Sequence, residues 1–328
     1  MCFGHHNNIG WFGNKMPYNL YKTPLSRNLF GDFCFMQQNG INVLSLFDGM
    51  SCGQIALERS GIKVNNYFAS EIKEHALRVA KYHYPNTIQL GNVLEVNWFG
   101  LPKIDLLIGG SPCKGISRLN KNQEGLNHSE SRLFWEYVRI KDEMKPKYFL
   151  LENTHGNKEA TKIITEAMGV EPISINSKLV SAQNRPRYYW TNIPGITQPE
   201  DKGLTSKTLQ AYFKQPTEGD EVPANRVKWL QNESGKKSIR KGYTKINPFP
   251  KYGCLTANGH RKWNENYLFR NGKYYFLSQF ELEWLQTLPA GYTSMLTYDE
   301  AYDVIGDGWT VDIVAHIFSF LKFEQATT

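Results

Sequence analysis

Four short segments of the chain carry side chains that could do chemistry together. Cys113 follows Gly109-Gly110-Ser111-Pro112, and Glu152 stands beside Asn153. Arg185 and Arg187 sit two apart in Gln183-Asn184-Arg185-Pro186-Arg187, and Phe47-Asp48-Gly49-Met50-Ser51-Cys52-Gly53 is a glycine-bearing run. An isolated cysteine is more often an inert small hydrophobe than a nucleophile. A thiol presented by a rigid Ser-Pro turn, with a carboxylate on a neighbouring element, is instead a nucleophile with an acid/base partner. Arginines at i and i+2 share a face when the chain is extended. Two guanidiniums there could hold Glu152, grip the polar edge of a base, and pull a thiol below its free pKa of about 8.5. Taken singly, each segment has a plainer reading: a buried thiol, a solvated strand end, a surface arginine pair on a hairpin.

The run at residues 47–53 lacks the full G-x-G-x-x-G spacing of a dinucleotide site. It still offers a turn in which a ligand can approach the backbone closely, followed by a helix start with unpaired N–H groups. Roughly 20 residues later Ser70-Glu71-Ile72 supplies a carboxylate able to accept from both hydroxyls of a ribose. The two together imply a nucleoside-bearing cofactor.

These segments must be placed by regular elements, and the pattern supplies them. Residues 41–47 read as an apolar strand, followed by a turn and a helix-like stretch to Ser60 with Gly61 as its stop. Residues 66–71 read as a strand, 73–84 as a helix, 104–108 as a buried strand, 132–144 as a helix and 148–151 as a strand. Alternation of this kind predicts an α/β fold, a parallel sheet with helices on both faces, whose ligands lie beyond the carboxyl ends of the strands. Every segment named above falls at such an end.

Outside that frame, residues 1–40 show no period and are expected to be an irregular N-terminal extension. From 198 to about 250 periodicity fades and the composition turns polar and basic. Arg226, Lys228, Lys236, Lys237, Arg240, Lys241, Lys245 and Lys251 face the single acid Glu233, with Trp229, Tyr243 and Phe249 interspersed. A solvated loop-rich insertion is one reading; a small region touching nucleic acid is the better one, because phosphates want Lys and Arg while aromatics want bases or a local core. Apolar periodicity returns over 276–321. The expected organisation is therefore 1–40 extension, 41–197 catalytic and cofactor-binding domain, 198–275 small target-recognition region, and 276–328 return into the catalytic domain.

Lys plus Arg total 38 against 31 Asp plus Glu, a net charge of +7 that attracts phosphate backbones or other anionic surfaces without identifying either. With 41% hydrophobic and 21% charged residues, the 328-residue chain matches globular rather than disordered or fibrous composition. No stretch approaches the roughly 18 apolar residues of a membrane span, and the first residues lack a basic segment leading into an apolar one, so neither a membrane partner nor export is expected. The five cysteines include no close pair, which argues against a metal cluster and for reduced thiols in a cytosol-like compartment.

In combination, Phe-Asp-Gly, Gly-Gly-Ser-Pro-Cys, Glu-Asn and Gln-x-Arg-x-Arg, in that order, resemble the motifs of the DNA cytosine-5 methyltransferases. "LSLFDG", "ASE", "GGSPC", "SRLFWEY" and "RYYWTNIPG" look closest to the catalytic domain of the de novo vertebrate enzymes. The resemblance covers about residues 41–195 and 276–321. It implies a Rossmann-like S-adenosylmethionine-dependent methyltransferase fold with a small, mostly irregular target-recognition region, and methyl transfer to carbon 5 of a cytosine flipped out of duplex DNA. By the same resemblance Cys113 is the nucleophile at carbon 6, Glu152 holds the ring nitrogen 3 edge and donates a proton, and Arg187, with Arg185 behind it, fixes base and carboxylate. The cofactor is expected against Phe47, Asp48, Gly49, Met50, Cys52, Glu71, Ile72, Asn92, Val93, Pro112, Asp307 and Trp309, with its ribose on Glu71 and its adenine on Ile72. Duplex DNA is expected to meet Ser117 and Arg118 in the polar loop 114–129, which could close over the base, and Lys236, Lys237, Arg240, Lys241 and Arg261.

Three positions depart from the family pattern. Asn92 stands where an Asp usually meets the adenine amino group, Thr154 follows Glu-Asn where Val is usual, and Asp307 places an acid near the cofactor carboxylate, a mildly repulsive arrangement. Alternative readings are a transfer-RNA cytosine-5 methyltransferase and a catalytically inactive DNA-binding regulatory relative; intact Cys113, Glu152 and Arg187 count against the latter. A compact bacterial or phage enzyme, cytoplasmic and nucleoid-associated, in a restriction-modification setting and acting as a monomer or weak homo-oligomer, fits the whole.

Overall fold

The computed structural model describes residues 40–112, 133–156, 158–212, 221–242, 244–246, 250–257, 259–261, 263 and 265–323. The expectations for the 1–39 extension, for Cys113, Ser117 and Arg118, for the 114–129 loop, and for Tyr243 and Phe249 lie outside the described residues.

A seven-stranded sheet runs in the order β3-β2-β1-β4-β5-β7-β6. Its strands are β1 (Ile41–Leu46), β2 (Val64–Ser70), β3 (Ile88–Gln89), β4 (Leu106–Gly110), β5 (Tyr148–Thr154), β6 (Ile173–Asn176) and β7 (Pro186–Thr191). Strands β1 to β5 pair parallel, and the centre of the sheet is close to uniformly apolar because both faces are covered. Side chains divide by parity: Val43, Leu106, Ile108 and Leu150 enter one core, Leu44, Leu46, Leu107 and Leu151 the other.

The first core is closed by helices α1 (Cys52–Arg59), α2 (Glu74–His83), α8 (Gln279–Leu285), α9 (Tyr298–Asp307) and α10 (Val311–Phe318); the second by α3 (Phe134–Met144) and α4 (Lys158–Met168). Capping boxes define the starts of α8, at Ser278 and Glu281, and α9, at Thr297 and Glu300. Since β1 lies between β2 and β4, the chain leaves the sheet centre in both directions, and the crevice opens at the carboxyl ends of those strands.

One expectation is corrected. The sheet is not wholly parallel, because β7 runs antiparallel to both β5 and β6. The link from β6 to β7 spans only residues 177–185, shorter than the dozen or so residues that a parallel crossover needs. The stretch after 198, expected to be small and mostly irregular, does carry short regular elements. It contains α5 (Ser206–Tyr212), α6 (Ala224–Gln231) and α7 (Glu233–Arg240), and a small sheet in the order β10-β9-β8, formed by β8 (Lys245–Ile246), β9 (Asn266–Arg270) and β10 (Lys273–Phe276). Val222, Leu230 and Tyr267 form a satellite core there. Helices of two turns give too short a period to stand out in sequence, and their apolar partner comes from β9, far along the chain.

Candidate active site

The β1–α1 turn is tightly bent. Phe47, Gly49 and Ser51 all take positive φ, at 57°, 60° and 64°, and the two non-glycine residues pay conformational strain there. The turn is pinned to β2: the Asp48 N–H donates to the Ser70 carbonyl (3.1 Å) and the Gly49 N–H to Glu71 Oε2 (2.8 Å). Glu71 Oε1 accepts from the N–H groups of Ile72 (2.7 Å) and Lys73 (2.8 Å). Asp48 accepts from Ser51 Oγ (2.5 Å) and the Tyr67 hydroxyl (2.7 Å). Burial nevertheless outweighs those bonds and pushes its carboxyl up to about 6.

These residues fit a nucleoside. A carboxylate has about four lone-pair positions, three of which are used on Glu71, so acceptor capacity remains for a hydroxyl. Beside it Ile72, 68% exposed, offers a bare apolar face at a strand end. Asn92 Oδ1 caps a short 3-10 turn by accepting from the Leu94 N–H (3.1 Å), which leaves it one lone pair for a donor. Met50, Cys52 and Val93 are 1%, 3% and 4% exposed and act from inside the core; burial pushes the Cys52 thiol up to about 12, so it is no nucleophile. Asp307, expected to repel the cofactor carboxylate, pairs with Lys73 Nζ at 2.5 Å at the edge of this subsite, which offsets part of its charge.

Across the sheet, Glu152 on β5 is 8% exposed and held at both oxygens. Arg187 Nε lies 2.8 Å from Oε1, and Trp309 Nε1 donates to Oε2 over 3.1 Å. Glu152 faces Tyr189 in the antiparallel register, so Arg187 sits diagonally two residues away on the same face, within reach of a long side chain. Asn153 points the other way, as strand alternation requires, and its Nδ2 donates to the Ser111 carbonyl (3.2 Å) and Oγ (3.0 Å). The expectation that both Glu152 and Asn153 open onto the cleft is thereby corrected: Asn153 ties down the Ser111-Pro112 turn that leads to position 113. Gly110 is required here, since a Cβ would stand 2.9 Å from Trp309 Nε1 and 3.0 Å from Glu152 Oε2.

Arg185 is 3% exposed and donates to the carbonyls of Leu255 (2.6 Å), Gly306 (3.1 Å) and Gly308 (2.8 Å). It organises loops rather than meeting the cleft. Sequence reasoning missed Cys254, whose Sγ lies 3.4 Å from Arg185 Nη1 and 3.7 Å from Arg187 Nη2. Burial alone would raise this thiol, but the two guanidiniums outweigh burial and hold it below the ordinary thiol range.

The basic stretch divides into two classes. Lys236, Lys237, Arg240 and Lys241 are exposed along α7, opposite the buried Gly235 and Ser238, and Lys236 and Arg240 share Glu233 at 3.5 and 3.8 Å. Arg226 and Lys251, counted with them from sequence, are structural. Arg226 pairs with the 1%-exposed Glu265 side chain at 2.5 Å and lies over Trp263 and Phe276, while Lys251 Nζ donates to the Lys178, Ser181 and Leu204 carbonyls. Arg261 pairs with Asp303 at 2.8 Å. Among the described residues no group of three or more His, Cys, Asp or Glu could hold a metal, and no helix is long and apolar enough to cross a membrane.

The arrangement is similar to known proteins at two levels. The Entamoeba histolytica methyltransferase EhMeth superposes with a TM-score of 0.68 over 86% of this chain and 98% of that one; at 15% identity this shows the fold. The type II methyltransferase M.NgoBV of Neisseria gonorrhoeae is 32% identical over 178 residues, 48% of this chain and 41% of that protein. The type II methyltransferase M1.ScrFI of Lactococcus lactis subsp. cremoris is 24% identical over 298 residues, covering 83% and 75%. The chain thus spans less than half the length of the Neisseria protein. The family model for C-5 cytosine-specific DNA methylase matches residues 41–217, more than half of the 328 residues, and the chain belongs to that family.

Proposed function

We propose that the chain transfers a methyl group from S-adenosylmethionine to carbon 5 of cytosine in duplex DNA. The observation that carries this is the buried Glu152 carboxylate, clamped by Arg187 and Trp309 beside the Gly109-Gly110 strand end that leads to Cys113. S-adenosylmethionine, when bound, supplies an electrophilic methyl group. Phe47, Asp48, Gly49, Glu71, Ile72 and Asn92 bind and orient it, and Lys73 with Asp307 borders it. Carbon 5 of cytosine is not nucleophilic until carbon 6 is saturated. The Cys113 thiolate therefore adds to carbon 6 while Glu152, in its carboxylic acid form and oriented by Arg187, holds the nitrogen 3 edge and donates its proton there; carbon 5 then takes the methyl group and S-adenosylhomocysteine is left. After transfer the carbon 5 proton leaves to water, its electron pair restores the carbon 5–carbon 6 double bond as the sulfur–carbon bond breaks, and nitrogen 3 returns its proton to Glu152 as the thiolate is regenerated.

A base inside a duplex is out of reach, so the target is flipped into the cleft. In this reading residues 41–197 together with 276–328 form the catalytic domain and 198–275 the target-recognition region. The exposed cations of α7 lie along the phosphate backbone, positioning rather than specifying. The Neisseria and Lactococcus relatives are bacterial, and a cytoplasmic, nucleoid-bound enzyme fits the proposed substrate. Incubation with radiolabelled cofactor and either duplex DNA or transfer RNA tests the assignment, and bisulfite sequencing then locates the modified cytosines. Label in transfer RNA alone would overturn the DNA reading.

A further inference from the structure

The return of the chain before α10 brings one more side chain to the cleft. Residues 307–309 run along the wall assigned to the cofactor: Asp307 pairs with Lys73, and a Cβ on Gly308 would press on Met50 Cε at 2.7 Å and stand 3.4 Å from the Cys52 sulfur. The backbone on either side is fixed. The Gly308 carbonyl accepts from Arg185 Nη2 (2.8 Å) and Gln286 Nε2 (3.1 Å), and Thr310 Oγ1 donates to Gln286 Oε1 (2.7 Å). The indole then occupies a slot between two glycines of different motifs. A Cβ on Gly53 would sit 3.7 Å from its Cζ3, and one on Gly110 would sit 2.9 Å from its Nε1. From this slot the indole N–H reaches Glu152 Oε2 at 3.1 Å, while Arg187 holds Oε1.

We propose that Trp309 is a positioning residue for Glu152: its indole N–H fixes the carboxylate plane against Arg187, so that the cofactor wall and the base-facing carboxylate are set as one unit. A Glu carboxyl rotates almost freely about its last bond. One donor leaves that rotation open; two donors from different elements, one on each oxygen, close it. The plane of the carboxylate decides whether it can meet the polar edge of a flat ring. The indole belongs to the cofactor wall as its position suggests, and through its N–H it also sets the geometry of the base subsite. This rests on the reading of Glu152 given above.

The test separates ring from N–H and contact from chemistry. In the full-length protein labelled with nitrogen-15, the indole resonance lost in Trp309→Phe, among those of the 8 tryptophans, belongs to Trp309. Glu152→Gln should move that resonance; an unmoved resonance overturns the proposal whether or not the protein is active. In single-turnover methylation of a duplex, Trp309→Phe should lose about tenfold in rate, equivalent to about 1.4 kcal/mol. Its affinity for S-adenosylhomocysteine by calorimetry should stay within about twofold, and Trp309→His, which keeps a ring donor, should recover most of the rate. The loss should vanish when Glu152 is already Gln. A loss confined to cofactor affinity, or one of equal size in both backgrounds, makes Trp309 a wall residue only and overturns the proposal. A wild type that labels no nucleic acid while the resonance still follows Glu152 defeats the assigned function but leaves the contact standing.

Discussion

Replacing Asp48 by Asn should make the protein more stable at neutral pH, and the gain should itself depend on pH. The Asp48 carboxyl is pushed by burial from its ordinary 3.8 up to about 6. Between those values the folded chain keeps a proton that the unfolded chain has released, so stability falls as pH rises through that window and levels off above it. The full difference corresponds to about 3 kcal/mol as an upper bound, of which about 2 kcal/mol develops between pH 4.5 and pH 7.5. Asn has the same shape, does not titrate, and can still accept from one of the Ser51 and Tyr67 hydroxyls while donating to the other. Urea unfolding of wild type and Asp48→Asn at both pH values gives the two stability differences. The variant's advantage should grow by about 2 kcal/mol from the lower to the higher pH at constant m-value. Parallel stabilities at the two pH values would refute the reasoning, and a growing disadvantage would mean that the ionised form is the better satisfied one. A charge kept at such a cost beside a strained turn belongs to function rather than to folding.

Other expectations concern binding and chemistry. Glu71→Ala should weaken S-adenosylhomocysteine binding by about 1–3 kcal/mol, since it strands the three N–H groups that hold the turn as well as the ribose; unchanged calorimetric affinity removes Glu71 from the subsite. A duplex carrying 5-fluorocytosine should trap wild type as a denaturant-stable adduct, because fluorine cannot leave as a proton does, and Cys113→Ala should form none; an adduct with the variant would place the nucleophile elsewhere. Changing Lys236, Lys237, Arg240 and Lys241 together to Gln should flatten the slope of log affinity against log salt by up to about three units, at a little under one unit per phosphate contact. An unchanged slope would move the DNA surface off α7. Arg226→Met should leave that slope alone yet destabilise the fold by about 3–5 kcal/mol, because it isolates the buried Glu265; a flattened slope would return Arg226 to the phosphate-binding set.

The central strands were legible because a parallel sheet buried on both faces writes itself as continuous apolar runs, and the glycine turns between them as punctuation. The clustering of Glu152, Arg187 and the Gly109-Gly110 strand end followed from placing each motif at a strand end. What sequence did not reveal depended on partners far along the chain. Asn153 and Glu152 are neighbours, yet alternation sends them to opposite faces, and only the fold shows that Ser111 awaits one and Trp309 the other. Arg185 and Arg187 carry the same charge two residues apart, but three carbonyls from remote segments, one of them in the last turn of α9, capture the first. Charge counting could not separate Arg226 from the α7 cations, since the difference is a buried Glu265 thirty-nine residues away. Cys254 carried no local signature at all; its character comes from two guanidiniums that approach it through space.

The three carbonyls on Arg185 bear on how such a chain can change over time. One belongs to Leu255, where the polypeptide comes back from the stretch after β7, and two to Gly306 and Gly308, where it comes back again before α10. Both returns are moored to one guanidinium in the middle of the fold. Whatever leaves after β7 is therefore a bight of rope between fixed cleats: its length and content can be rewritten without hauling on Glu152 or Arg187. Under the proposed function, a lineage under pressure to mark new sequences could exchange that bight wholesale and keep its chemistry, provided the guanidinium at 185 is left in place.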